Sequence, residues 1–529
     1  VAILPLVNLG TGQNTGTGDS LLAAFTKINA FLTQTGVGGL LYPVLAGETG
    51  AVNLWYYYGN VLRYGTNTTP GTTDMTTALN NANTSVSALG GGTVVIPGGT
   101  FTVSGIVTVS ANVWFQGSGD GTIITTSSAT SDVFQLTGNG ARVSDMSITA
   151  SVTRTGGYYV NFNGIMSYVR CERVDMFNFY NGIGHTGNGG CGDIRITDCY
   201  LTTNTGGGFG INFSTTINSV DIVLDKILIG ATSAVAQMAA GVQVVNAGDI
   251  SLRNVGTVYC GNGLRLIPGN GQTVQVLLCT DCLFDSGNAT NVAINPLGTG
   301  SVQLAKFLNT WACSSTAGSG FSVCASSQGT VLRSEFLQCV GSNNSAEGLI
   351  INYSGATDTS VIGGMYAGNT HGLYVASGVT KFKFMGNICR ASGQFAANTS
   401  YGLVMIGLND QFTVSDNDFN NAGGTGNANI TAPVGGTAGQ TWFIKDNQGV
   451  VTKSGGQAVL TAAGTTTAVT HGLAGTPRLQ DIYLTQNSSL GTAAQAWVSA
   501  VGSTTFTITT NANPGAGVNM GWNASLWGA

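Results

Sequence analysis

From about Val143 to Asn421 the chain repeats one pattern of apolar and polar positions. Segments such as VRCERVDMFNFYNGI, DIRITDCYLTTNTGGGFGINF and VLRSEFLQCVGSNNSAEGLIINYSG open on a short alternating strand. A polar stretch of Asn, Ser, Thr and Gly follows, then a glycine and a second short apolar strand. The glycines at 182, 210, 241, 263, 320, 348, 372 and 402 mark the register. Their spacing is 22 to 31 residues, with one double step of 57 that has Ala293 at its middle turn. A period of about 27 residues, with strand alternation inside each copy, is the mark of solenoid rungs. Two or three short strands per copy and no helical period predict a parallel β-helix whose rungs stack ~4.8 Å apart.

Cysteines give a second register. Cys171, Cys199, Cys282, Cys313, Cys339 and Cys389 stand near the end of the first strand of their copies. Small, apolar and commonly buried, they read as an inward ladder of reduced thiols. Cys279 and Cys282 form C-x-x-C, a metal or redox spacing. An offset of three along a strand points the two to opposite faces, and the chain has only 3 His. No metal or other cofactor is expected.

The flanks differ from the repeats. Leu21, Phe25, Ile28 and Leu32 are spaced for an amphipathic helix, with Asp19 or Ser20 as N-cap and Gly36 as its end. Residues 36–70 hold the aromatic run Trp55-Tyr56-Tyr57-Tyr58, read as neck packing or as glycan contact. Leu79, Ala82, Val86 and Leu89 form a helical stripe ending at Gly90-Gly91-Gly92. Strands over Thr93–Ile96 and Phe101–Val103 follow, joined by Pro97-Gly98-Gly99. That helix would block the open end of the coil, whose unpaired strands invite aggregation. Residues 422–445 lose the repeat and read as a linker. After them, alternating segments with turn residues between predict a small antiparallel β-sandwich. His471 falls in one of its turns, a residue with a satisfied hydrogen bond.

Composition narrows the class. Charged residues are only 8% of the 529, against a typical ~25%, so the polar surface is Ser, Thr, Asn and Gln. Disorder does not fit a chain that is 43% hydrophobic. With 18 Lys and Arg, a net charge of -5 and no basic stripe, nucleic acid is not the partner. No apolar run is long enough to span a membrane. The first residues lack the basic region of a signal peptide; a first residue other than Met leaves a removed leader open.

Three stretches resemble known phage proteins. Gly16–Asn29, GTGDSLLAAFTKIN, resembles an N-terminal segment of bacteriophage tail-fibre proteins. The T-V-x-x-P-x-G-x-F-x-V hairpin over 93–103, followed by Gly117-Ser118-Gly119, resembles the opening of the pectate-lyase-like superfamily, phage tailspikes included. Val469-Thr470-His471-Gly472-Leu473, Phe506-Thr507-Ile508, Trp522 and Ala524 resemble a C-terminal module of phage tail proteins, associated there with trimerisation or receptor contact. The resemblance implies a right-handed parallel β-helix over 71–435. It adds an N-terminal virion-attachment segment (1–35), a neck (36–70) and a C-terminal β-sandwich (436–529). It further implies a homotrimer on the phage tail, made in the host cytoplasm and acting outside the cell. The N-terminus would join baseplate or portal-adaptor proteins, and the body would bind a bacterial surface polysaccharide. An adhesin, a glycan depolymerase and a secreted polysaccharide lyase are the three readings.

Glycoside hydrolysis needs two carboxylates. Among the rung acids Glu172, Asp175, Asp193, Asp198, Asp281, Asp285, Glu335, Glu347 and Asp358, three fall within one copy and the start of the next. Glu335, Glu347 and Asp358 are therefore the predicted catalytic set. Tyr158, Tyr159, Tyr180, Trp311, Tyr353 and Tyr374 are the predicted glycan-contacting aromatics, because such rings favour sites with one apolar and one wet side. No acidic cluster of the kind a calcium-dependent lyase requires is evident.

Overall fold

The computed structural model describes residues 42–187, 189–234, 237–324, 329–407, 409–430 and 442–526, together with Ala23. The predicted N-terminal helix and the attachment segment lie outside the described residues, Ala23 excepted. The chain is an all-β parallel β-solenoid followed by two antiparallel sheets. It falls into two compact units, one up to Ala239 and one from Ala240.

In the first unit, strands Arg142–Ala150, Met166–Phe177, Cys191–Thr203 and Val220–Ala231 pair in parallel, each with the next. A second ladder runs through Phe134–Leu136, Tyr158–Phe162, Asn181–His185 and Phe209–Phe213. The second unit repeats both ladders. Thr273–Thr280, Ser301–Leu308, Thr330–Leu337, Ala356–Ile362 and Thr380–Met385 build one. Phe321–Val323, Glu347–Ile351, His371–Val375 and Tyr401–Met405 build the other.

The long strands bend at left-handed residues set five apart. In the first unit these corner pairs are Gly140 and Asp145, Tyr168 and Arg173, Asp193 and Asp198, and Asp221 and Lys226. In the second they include Val276 and Asp281, Leu304 and Asn309, Arg333 and Gln338, and Asp358 and Gly363. Positive φ is rare outside Gly, Asn and Asp, and for Val276 or Leu304 it is a strained conformation. Each second corner resets the alternation: the corner and the residue before it both face out, and the residues flanking that pair both face in. This corrects the sequence reading of Cys279 and Cys282. Asp281, at φ 54°, lies between them, and both thiols are buried.

The cysteine ladder is also revised. All ten cysteines are free and buried, but they do not share one column. Cys199, Cys282 and Cys339 follow the second corner directly, with Ile227 beside Cys199 and Thr310 between Cys282 and Cys339. Cys171 precedes its corner and pairs with Ile196, Cys313 pairs with Asp285, and Cys389 lies three residues past Gly386. Further along the second unit that inward column turns to amides. Asn387, Asn417 and Asn447 hydrogen-bond one to the next at 2.9 and 2.8 Å.

The register glycines are not in turns. Seven sit within second-ladder strands and Gly320 just before one; a Cβ on Gly348 would stand 2.7 Å from the Gly372 carbonyl, and one on Gly372 2.6 Å from that of Gly402. At the double step of the glycine spacing the column is held by the buried Asn291, in register between Gly263 and Gly320, and not by Ala293.

At the start, helix Thr76–Ala88 buries Leu79, Ala82 and Val86. Leu89, expected in the stripe, is its C-cap and is exposed. The expected hairpin is absent as such: Gly92–Val95 pairs in parallel with Val113–Gln116, and Gly99–Val103 with Thr122–Thr126. The predicted linker also carries rungs, since Gly426–Ile430 pairs with Tyr401–Met405 and Trp442–Lys445 with Phe412–Ser415. The two C-terminal antiparallel sheets have three strands each. Phe506 of one meets Trp522 of the other edge-on at 5.3 Å, which fits a β-sandwich. His471 is buried in a turn, accepting from the Leu473 amide (3.0 Å) and lying 3.2 Å from the Gly502 carbonyl.

Candidate functional site

Two residues past the second corner, side chains point outward again. In the first unit this column reads Ser147, Asp175, Tyr200 and Leu228. Burial and then the charge of Asp120 push the Asp175 carboxyl up from its ordinary value. Asp120 stands in the tight Gly117-Ser118-Gly119-Asp120-Gly121 turn. Tyr200 is 40% exposed and meets Phe177 edge-on at 6.0 Å.

Beyond Phe177 the same three strands open into a groove of about 570 Å³. Ala150, Ser151, Val152, Thr153, Asn178, Asn204, Thr205 and Gly206 line it. None carries a charge, and its volume is that of a small-molecule site. The place combines neutral hydrogen-bonding groups, an exposed tyrosine against a half-buried phenylalanine, and a carboxyl whose pKa burial raises. Such a carboxyl can donate a proton while a second one stays ionised.

The predicted acids separate. Glu335 belongs to the first ladder of the second unit and pairs with Lys306 (3.2 Å) at the surface. Asp358 is a left-handed corner, in register with Arg333 and Lys381. Glu347 lies on the other ladder. The three fall close in sequence, but the polar stretch between strands carries Glu347 around the rung.

What the structure does unite is Glu347 and Tyr374, through His371. Glu347 accepts from Ser319 (2.8 Å) and faces His371 Nδ1 at 3.4 Å. The His371 ring lies 5.6 Å from that of Tyr374 and stacks on Tyr401 at 6.3 Å.

The other predicted aromatics are scattered. Tyr159 is fully buried, its hydroxyl donating to the Phe177 carbonyl (2.8 Å) and its ring under Arg154. It belongs to the core and meets no ligand there. Tyr158 accepts from Asn212 (2.8 Å) and is half-buried, as is Tyr180. Trp311 and Tyr353 are exposed on the second unit. Among the described residues no group of His, Cys, Asp and Glu is arranged to hold a metal ion.

Sequence reasoning passed over Asp120, Tyr200 and the groove. The signal was present: Asp120 and Asp175 are 55 residues apart, two periods. Without the corner positions, however, nothing marked them as sharing a face.

No protein-family model matches the chain, and no curated protein matches it in sequence. Solved structures do. Tailspike protein 3 of bacteriophage CBA120 superposes with a TM-score of 0.56 at 14% identity, over 79% of this chain and 68% of its own. A double mutant of the tailspike protein of E. coli bacteriophage HK620 gives 0.50 at 12% identity, over 86% and 90%. At such identities the likeness concerns architecture, and in architecture this chain is a parallel β-solenoid of the kind found in phage tailspike proteins.

Proposed function

We propose that this chain is a tailspike-type adhesin, homotrimeric on a phage tail, that holds a bacterial surface polysaccharide in the groove of its first unit. The carrying observation is the uncharged Ser, Thr, Asn and Gly lining beside the exposed Tyr200, whose ring meets Phe177. Stacking on such a ring and neutral hydrogen bonds suit a sugar chain. Attachment to the virion would run through the N-terminal segment.

Asp175 favours a second reading, that the bound glycan is cleaved. Its raised pKa fits a general acid, and Asp120, two periods earlier, is the candidate second carboxylate.

The test uses surface polysaccharides from a panel of bacteria. Binding to the full chain is measured by calorimetry, and cleavage by new reducing ends. Tyr200→Ala is expected to weaken binding by roughly tenfold or more, as loss of an aromatic anchor does. Tyr353→Ala on the second unit is expected to leave it unchanged. If cleavage occurs, Asp175→Asn should lower its rate by about 10² or more while binding stays. Loss of cleavage in Glu347→Gln with Asp175→Asn intact would move the site to the Glu347–His371–Tyr374 group. Full binding by Tyr200→Ala would remove the groove from the proposal.

A further inference from the structure

Three outward positions surround the second corner of each rung: one just before it, the corner itself, and one two residues after. In the first unit they carry charge. The rungs read Glu172, Arg173, Asp175; then Thr197, Asp198, Tyr200; then Asp225, Lys226, Leu228. In four successive rungs of the second unit all three lose it. These read Leu308, Asn309, Trp311; Leu337, Gln338, Val340; Ile362, Gly363, Met365; and Met385, Gly386, Ile388. Polar residues then return as Ser415, Asp416, Asp418.

The eight apolar side chains are in register, one beside the next, in two straight columns. Trp311 and Ile362 are 39% and 38% exposed. Four rungs at ~4.8 Å make the strip roughly 15 Å long between its end rungs. Two of its four corners are glycine, which lets a facing backbone approach closely. The other six apolar side chains are half-buried, and Phe395 meets Trp311 edge-on at 6.5 Å; contiguous, partly exposed apolar surface of this kind marks an interaction site.

We infer that this strip is a contact face between copies of the chain. This rests on the homotrimer in the proposal above and gives it a location. Two features select a second copy as the occupant. The knobs repeat at the rung spacing, so another ladder of the same spacing meets them rung for rung. The bordering columns carry both signs, Lys306 beside Glu335 in one and Arg333 beside Asp358 in the next. A border of mixed sign accepts a copy of itself, where one of single sign repels it.

The experiment places single cysteines in the full chain. All ten native cysteines are buried and free, so the unsubstituted protein supplies the labelling background. Met365→Cys and Ile388→Cys sit on the strip; Thr197→Cys, just before the second corner of a first-unit rung, is the control. Thermal midpoints confirm that each variant is folded. The expected result is cross-linking between copies by a short bismaleimide at 365 and 388. A bulky maleimide should label both about tenfold more slowly than position 197, because thiol reactivity follows access. Labelling at the control rate with no cross-link between copies overturns the inference, as does a monomeric mass for the unsubstituted protein at micromolar concentration. Glycan binding is read separately, so a failed strip leaves the groove standing and a failed groove leaves the strip.

Discussion

The two units build the same corner and use it differently. Inside the second corner of the first unit stand Met146, Val174, Cys199 and Ile227, all buried and mostly aliphatic. Outside stand Arg173, Asp145 and Asp198, the first two paired at 2.5 Å. In the second unit the exterior is apolar over the four rungs from Trp311 to Ile388, and inside, from the last of these rungs onward, the amides of Asn387, Asn417 and Asn447 replace the apolar groups. At the Asn387 rung polarity has moved from outside to inside; in the next two it stands on both sides. An amide stack is tolerated within because each member is satisfied by its neighbours. An apolar exterior is tolerated where something covers it.

The largest expected effect breaks the amide column. Asn417 accepts from the Asn387 amide and side chain, and donates to the Phe384 carbonyl and to Asn447. Asn417→Leu would leave several of these buried groups unsatisfied, costing roughly 4 kcal/mol. Ile227→Val, in the aliphatic part of the column, should cost about 1 kcal/mol. Urea midpoints compare the two, or unfolding rates where refolding fails. Equal costs would mean that the amides act merely as filler.

Acid should strike the first unit harder. His185 is fully buried between Ser219 Oγ (2.9 Å) and Cys191 Sγ (3.4 Å). Burial lowers its pKa from 6.5 to about 4. The unfolded chain binds the proton first, so this contribution is whole above pH 6.5 and is lost as pH falls toward 4. The loss amounts to about 3 kcal/mol. Thermal melts from pH 7 to 4.5 should show it in the unsubstituted protein and much less in His185→Gln. Identical pH profiles would exclude His185 as the cause.

The smallest effect concerns the charged exterior. Hydrogen bonding from Arg173 is the main reason that the Asp145 carboxyl lies below its ordinary value. That contribution is present above the ordinary carboxylate pKa and is lost as pH falls through the lowered one. Arg173 is half exposed, so Arg173→Ala should cost only about 0.5 kcal/mol, and less in high salt. A cost of several kcal/mol, unaffected by salt, would show that the corner depends on this pair.

Much of the fold was legible in the chain because a solenoid repeats its constraints. The glycine spacing announced the rungs, since a close backbone approach disfavours a Cβ in nearly every copy, Asn291 being the exception. Alternation within each copy announced the strands, and buried thiols followed from the size and apolarity of cysteine. The helix over Thr76–Ala88 and the C-terminal sheets were readable from their own periods. The left-handed corners were not. They are occupied by Asp, Asn and Gly, but also by Tyr168, Val276, Leu304 and Lys381, residues whose local preference opposes that conformation. Stacking on the rungs above and below imposes it. Once alternation is reset at unmarked places, facing can no longer be counted along the chain. Cys279 and Cys282 turned to the same side, Tyr159 turned inward, and Glu347 parted from Glu335 and Asp358. Asp175 and Tyr200 met at the groove for the same reason. Periodicity fixes which residues occupy a rung; the corners, set by packing between rungs, decide which of them meet.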